Sequence, residues 1–424
     1  MTEQPAEPVT SAMTTPDELS ADVLVVGAGP AGSAAAAWAA RAGRDVVLAD
    51  AARFPRDKTC GDGLTPRAVA ELDRLGLGDW VRGRARNVGL RLTGFGQEHE
   101  LRWPGGSLPD VGSAVPRTEL DDRIRRVATD DGARMVEGAK AVGVERSGDR
   151  VAAVTFRTDD GDLRIACRTL VVADGVRSPL GKLLGRQWHR DTAFGVAARA
   201  YVASDRSDDE WITSHLELRD ADGVLQAGYG WVFPLGTGEI NLGVGTLATD
   251  RRPAGGALRP LLNLYAAQRE SEWGLSGGPQ RVQSALLPMG GAVSTVAGPN
   301  WALIGDAAAC VNPLNGEGID YGLEGGRLVA DLLDEPDLTD VWPTVLREHY
   351  GRSFSVARRL AGLLTLPRFL PATGPIGMRS SAIMTVAVRV MGNLITEEDH
   401  DVVARAWRAA GSASRRLDTR APFS

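Results

Sequence analysis

One turn near the start of the chain has the spacing of a phosphate cradle. Val25-Val26-Gly27-Ala28-Gly29-Pro30-Ala31-Gly32 follows a short β-branched run and precedes an alanine-rich segment. Each glycine has a distinct use between a strand and a helix. Gly27 permits the tight turn, Gly29 lets backbone approach a pyrophosphate, and Gly32 lets the helix close on the strand. The helix that starts at Pro30 then turns the free N–H groups of its first turn, from Ala31 on, and a positive dipole end toward phosphates, with Ala28 in the same cradle. Asp50 ends the next strand, at about the distance where a carboxylate binds ribose hydroxyls. This is the chemistry of a bound dinucleotide.

Two further turns lie far downstream, Ala173-Asp174-Gly175 and Ile304-Gly305-Asp306-Ala307-Ala308. The order and distances of the three match an FAD enzyme whose cofactor is held by pieces of the whole chain. Asp306 resembles the aspartate that binds ribitol or pyrophosphate in such proteins, and Asp174 reads mainly as an organiser of the strand crossover. Asn312-Pro313-Leu314-Asn315-Gly316-Glu317-Gly318-Ile319 comes next. Its glycines open a helix whose amides can face a flavin ring and stabilise negative charge on its reduced form. Arg117 stands at the start of another helix, where flavoproteins of this layout place an arginine on the phosphate side; a surface helix charge is the other reading.

A different chemistry is suggested by Tyr229, Trp231 and Phe233. On a strand, residues two apart line one face, so these rings form either an apolar wall for a long hydrocarbon or an ordinary core stripe.

The positioning elements follow from pattern. Val23–Val26, Ser33–Arg41 and Val46–Leu48 read as strand, helix and strand, and strands ending at glycine turns with helices between indicate an α/β fold. Short alternating runs at Gly195–Val202, His215–Leu218, Gly228–Phe233 and Ile240–Leu247 read as an antiparallel sheet inserted into that fold. The expected organisation is a disordered tail over 1–20, a discontinuous Rossmann-like FAD domain over 21–190 and 285–345, a substrate sheet over 191–284, and a helical region over 346–424. From Ser353 to Thr396 there are five arginines (Arg358, Arg359, Arg368, Arg379, Arg389) and no acid. Met384, Val388, Met391 and Ile395 recur at helical spacing. This stripe suits either a lipid surface, with arginine stems snorkelling to headgroups, or packing on the core.

Composition excludes several classes. The 424 residues carry a net charge of −6, which argues against nucleic acid as a partner. Three cysteines (Cys60, Cys167, Cys310) are too few for a disulfide framework and none has metal-ligand spacing to another; no metal is expected. No apolar run reaches the roughly 18 residues of a spanning helix. The expected location is the cytoplasm or the cytoplasmic face of the membrane, as a peripheral protein.

These segments together resemble the geranylgeranyl reductase family, a branch of the hydroxylase-like flavoproteins. The resemblance rests on the glycine turn, on Phe54 through Leu64, on Tyr229-Gly230-Trp231-Val232-Phe233-Pro234 followed by Gly243-Val244-Gly245, and on Gly305 through Gly322. It covers roughly residues 21–400. It implies FAD, with Lys58, Cys60, Gly61, Asp62 and Gly63 over the flavin. It also implies a substrate pocket of Tyr229, Trp231, Phe233, Pro234, Gly243, Gly245, Asn312 and Pro313. The narrower match is to the branch that saturates the β isoprene unit of the menaquinone side chain. Cys60, with Tyr229 and Trp231, carries the implied catalytic roles: Cys60 positions the alkene or relays a proton, or is simply a small buried cysteine. A geranylgeranyl diphosphate or geranylgeranyl-lipid reductase is the alternative, and a flavin-dependent aromatic monooxygenase the second. The chain has no second glycine turn for NAD(P)H, so its reductant is a transiently docked nicotinamide or a ferredoxin-like partner.

Overall fold

The computed structural model describes residues 17–424. In chain order the principal strands are β1 (Asp17–Val26), β2 (Val46–Ala49), β3 (Gly89–Gly94), β4 (Gln97–Arg102), β5 (Arg134–Val136), β6 (Gly161–Val172), β7 (Phe194–Ser204), β8 (Trp211–His215), β9 (Gly228–Pro234), β10 (Glu239–Ala248), β11 (Leu275–Leu287) and β12 (Trp301–Leu303). The principal helices are α1 (Pro30–Arg41), α2 (Pro66–Arg74), α3 (Arg117–Asp130), α4 (Ile319–Ala330), α5 (Gly351–Leu364), α6 (Phe369–Gly377), α7 (Ser381–Met391) and α8 (Val402–Arg416). The fold is the mixed α/β arrangement that the glycine turns imply. Residues 17–20, expected in the tail, begin β1; the rest of the tail lies outside the described residues.

The first sheet explains why turns so distant in sequence share a site. Strands β12, β6, β1, β2 and β5 run parallel in that order. Val26 pairs with both Ala49 and Val172, and Val172 pairs with Leu303. Four strand ends are thus level, and the segments leaving them begin at Gly27, Asp50, Ala173 and Ile304. Ligands of open parallel sheets sit at this carboxyl edge. Helices α1 and α4 pack over the sheet at very close range. A Cβ on Gly32 would lie 1.8 Å from the Gly27 carbonyl oxygen, and one on Gly326 would lie 2.7 Å from that of Ala31.

The second sheet has seven strands in the order β11-β7-β10-β9-β8-β3-β4. It is antiparallel except where β8 meets β3 in parallel. It therefore draws β3 and β4 from residues 89–102, outside the 191–284 stretch, and β11 runs on to Leu287. The run expected over His215–Leu218 is in fact Trp211–His215, and Leu216 already leaves the sheet. The helix Leu258–Trp273 covers this sheet with Leu262, Tyr265 and Trp273 buried against it.

Candidate functional site

A cavity of about 1050 Å³ lies between the carboxyl edge of the first sheet and one face of the second. At its first end are Gly27, Gly29, Pro30 and Ala31. Gly27 has φ +103°, and a Cβ there would stand 2.3 Å from the Ala173 carbonyl oxygen, so only glycine fits. A Cβ on Gly29 would meet only the Arg56 side chain, at 3.4 Å, which leaves its backbone open to the cavity. Helix α1 starts without a side-chain cap and without an acid in its first turn. Its amides remain available to an anion. Ala28 and Gly32 do not line the cavity. The Ala28 amide donates to Asp50 Oδ2 at 2.6 Å, and Gly32 provides the helix contact described above. Asp50 lines the cavity, with its other oxygen accepting from the Ala52 amide at 2.7 Å.

The middle of the cavity gathers Lys58, Cys60, Gly61, Asp62 and Gly63 from one side and Gly305 and Asp306 from the other. Lys58 Nζ stands 3.8 Å from Asp306 Oδ2. Arg117 begins α3, but it is buried rather than a surface charge. Its Nε and an Nη donate to the two oxygens of Asp121 at 2.6 and 2.8 Å. Arg56 donates to the same carboxylate at 2.7 Å. Burial pushes the Cys60 thiol up, against the opposing pull of Arg117, so it is a neutral thiol at physiological pH. Asp174 lines the cavity while accepting from the Ser178 hydroxyl at 2.6 Å and the Leu180 amide at 2.8 Å, which fastens the crossover turn. Gly316, Glu317, Gly318 and Ile319 bring the start of α4 to the same space.

Tyr229, Trp231 and Phe233 share one face of β9 and line the cavity, with ring centroids 6.0 and 6.3 Å apart along the strand. Their glycine partners have a geometric reason. Tyr229 pairs with Gly245 and Trp231 with Gly243 on β10. A Cβ on Gly243 would lie 2.1 Å from Trp231 Cζ2, so the indole lies flat where a side chain would otherwise stand. Gly245 and Pro313 line the cavity; Gly243 and Pro234 do not. Asn312 faces elsewhere. It accepts from the Leu314 amide and donates to the Met391 carbonyl.

Several lining or supporting residues escaped sequence reasoning. The Trp231 indole N–H donates to Asn241 Oδ1 at 2.9 Å, and Asn241 Nδ2 donates to Asp62 Oδ2 at 2.9 Å and to the Cys60 carbonyl. Tyr201 donates to the same Asp62 oxygen at 2.6 Å. Burial pushes Asp62 up to about 6 even so. Asn241 and Tyr201 lie on interior positions of strands whose neighbours are apolar, and only that polar-in-apolar context marked them.

At the far end the cavity opens between α5, α6 and α7. Leu360, Leu364, Phe369, Leu370, Ile383 and Val386 line this mouth. Of the stripe read as either lipid-facing or core-packed, Met384 and Val388 pack inward against β3 and β4 side chains such as Leu92 and Leu101, and both also line the cavity. The outward residues are Leu360, Leu363, Leu366, Ile376, Ile383 and Val386. Of the five arginines, Arg358 donates to the Gly290 carbonyl, Arg359 pairs with Asp418, and Arg389 pairs with Asp401. Arg368 and Arg379 are exposed. No helix among the described residues is long and apolar enough to cross a membrane.

A glycine cradle at level strand ends, an uncapped helix start and a second helix start across the same space together define a flavoprotein, and its donors fit FAD. The FAD binding domain family matches residues 20–254. A menaquinone reductase of Mycolicibacterium smegmatis is 66% identical over 95% of this chain and 99% of its own length. A digeranylgeranylglycerophospholipid reductase of Methanopyrus kandleri is 30% identical over 81% of this chain and 90% of its own. Among solved structures, a geranylgeranyl bacteriochlorophyll reductase-like protein of Thermoplasma acidophilum superposes with a TM-score of 0.75 at 22% identity, covering 93% of this chain and all of that one. The chain belongs to the geranylgeranyl reductase family of FAD-dependent oxidoreductases, in the group of the menaquinone reductases.

Proposed function

We propose that this protein saturates one isoprene double bond, the β unit, of the menaquinone side chain. The observation that carries the reading is the continuous apolar lining from the aromatic face of β9 to the open mouth at α5–α7. It is a channel shaped for a hydrocarbon chain that enters from outside and ends beside the flavin site. The quinone identity of the lipid rests on the 66% identical relative.

When bound, reduced FAD supplies a hydride equivalent. The cradle of Gly27, Gly29 and α1 holds the pyrophosphate side, Asp50 the ribose, and Lys58 and Asp306 the region between the sheets. An isolated alkene has no carbonyl to polarise it, so the protein contributes position and dryness. Tyr229 donates to the Asn315 carbonyl at 2.5 Å and Trp231 to Asn241. Both rings are pinned at their polar ends and present only apolar faces. Burying an isoprenoid there gains about 25 cal/mol per Å². Cys60, a neutral thiol between Arg117 and Asp62, helps position the alkene. The exposed apolar residues of α5–α7, with Arg368 and Arg379 beside them, form the face that meets the membrane and takes up the lipid. NAD(P)H or a ferredoxin-like protein reloads the flavin.

Expression in a host making fully unsaturated menaquinone, followed by lipid mass spectrometry, tests the reading. Menaquinone heavier by one H₂ supports it. A saturated geranylgeranyl pool with unchanged menaquinone moves the substrate to geranylgeranyl lipids, as in the Methanopyrus relative.

A further inference from the structure

A second, polar cavity of about 450 Å³ lies behind the start of α4 and shares Leu314, Val390 and Trp407 with the wall of the first. Three carboxylates cross that wall at successive positions of the chain. Glu317 lines the main cavity, Asp320 is fully buried, and Glu324 lines the polar one. Asp320 and Glu324 are four apart in α4 and stack on one helix face; Glu317 lies just before the helix N-cap, close enough for Asp320 to raise it.

Among the described residues neither Glu317 nor Asp320 has a salt bridge, and Glu324 has only two long ones. Glu317 Oε1 accepts from the Thr65 hydroxyl at 2.7 Å, while its Oε2 is buried without a hydrogen-bond partner among the described residues. An ionised carboxylate left so would cost several kcal/mol, which favours the protonated form of Glu317. Asp320 accepts from Asn393 at 2.9 Å and from the Tyr321 amide at 2.7 Å. Glu324 accepts from the Tyr350 hydroxyl at 3.1 Å and stands 3.9 Å from Arg67 and 3.8 Å from Arg327. Arg67 is the cation facing all three. Burial raises Glu317 well above the carboxylate range, with Asp320 adding to it, and raises Asp320 to about 6.

We propose that Glu317, Asp320 and Glu324 form a proton line from the polar cavity to the main one, and that Glu317 is the last protein group from which the reaction draws its proton. This rests on the proposed lipid saturation. Saturation adds a hydride, carrying both electrons, to one alkene carbon and a proton to the other. Reduced FAD is oxidised, Glu317 becomes a carboxylate, and Asp320 returns its proton from solvent in the polar cavity. The line delivers the proton without opening the apolar mouth to water.

The test uses the FAD-loaded full-length enzyme and its E317Q, E317D, D320N and E324Q variants. Infrared spectra at neutral pH are expected to show a protonated carboxyl stretch that E317Q removes, a readout independent of lipid. In single turnover with dithionite-reduced enzyme and menaquinone, E317Q is expected to slow saturation on the order of 10²-fold, with FAD content unchanged. E317D restores part of the rate. Wild-type turnover is expected to fall as pH rises through the Glu317 titration, and E317Q to lose that limb. D320N is expected to slow turnover with a larger solvent isotope effect, and E324Q to do the same more weakly. These two variants decide the matter if E317Q does not retain FAD. Wild-type rate, pH profile and isotope effect in E317Q, or in D320N and E324Q together, overturn the line, as does the absence of the carboxyl band. A wild-type enzyme that saturates no isoprenoid refutes the proposed function itself, a different result from a working wild type with an equally working E317Q.

Discussion

Adding one methyl group at Gly243 is expected to disable the proposed lipid pocket and leave the flavin site intact. In Gly243→Ala the new Cβ would stand 2.1 Å from Trp231 Cζ2 and 2.4 Å from Cε2, too close for any side-chain packing. The indole must tilt away by more than an ångström to reach ordinary contact. That tilt breaks the 2.9 Å bond from its N–H to Asn241, and Asn241 is shared with Asp62. Overpacking of this kind costs about 1–3 kcal/mol, and the lost buried hydrogen bond about 1 kcal/mol more. A reacting group displaced by about 1 Å costs on the order of 10²-fold in turnover. Gly243 does not line the cavity and belongs to the second sheet, whereas the phosphate cradle lies at the edge of the first, so FAD content should be that of the wild type. The assay is paired: flavin absorbance per protein, then menaquinone saturation in single turnover. Gly243→Ala combined with Trp231→Phe supplies the control, because the smaller ring relieves the contact. The double variant should recover part of the stability lost by Gly243→Ala, a coupling that a double-mutant cycle measures. Gly243→Ala with wild-type lipid turnover would refute the argument that the glycine exists to seat the indole.

Other expectations follow from the same geometry. Gly27→Ala places a methyl 2.3 Å from the Ala173 carbonyl oxygen at φ +103°, so it should abolish FAD retention, read from the visible spectrum of the purified protein. Asp62 has its folded value raised from 3.8 to about 6. Its contribution is therefore favourable below pH 3.8 and is lost as pH rises through 6. The loss is on the order of 3 kcal/mol, and Asp62→Asn should remove that pH dependence in denaturant unfolding of the flavin-free protein. Cys60, raised by burial, should react with iodoacetamide more slowly at pH 8 than free cysteine does; faster alkylation would refute the neutral-thiol assignment. Ile376 and Ile383 are 66% and 52% exposed, so Ile376→Asp with Ile383→Asp should reduce flotation with anionic vesicles at unchanged thermal stability. Unchanged flotation would remove α6–α7 as the membrane face.

What was legible in the sequence was local, and what was hidden was long-range. The glycine turn could be read because each glycine answers to a neighbour a few residues away. The aromatic stripe could be read because strand periodicity places alternate residues on one face. The parallel pairing of β8 with β3 could not, since nothing in Trp211–His215 names a partner at Gly89–Thr93. The bonds from Tyr201 and Asn241 to Asp62 span 139 and 179 residues and leave no pattern in the chain. Periodicity also found the α7 stripe without saying what covers it. Met384 and Val388 turned inward against β3 and β4, so the face left outside is Ile383 and Val386.

The same division explains why the pocket motif pairs large rings with missing side chains. Tyr229 and Trp231 are legible as a stripe, but a stripe on a twisted sheet is ordinarily core. What makes this one a wall is the pair of glycines across the strand, Gly245 and Gly243, in register with the two rings. They let the indole lie down onto β10 and leave the volume above it empty. The cavity is thus made by residues that cannot fill it, and the polar ends of the two rings are tied off by Asn241 and the Asn315 carbonyl. In the proposed pocket a hydrocarbon would be held by exclusion of water rather than by a directed bond. On the proposed function, the pocket's selectivity among isoprenoids would come from chain length and from where the chain stops.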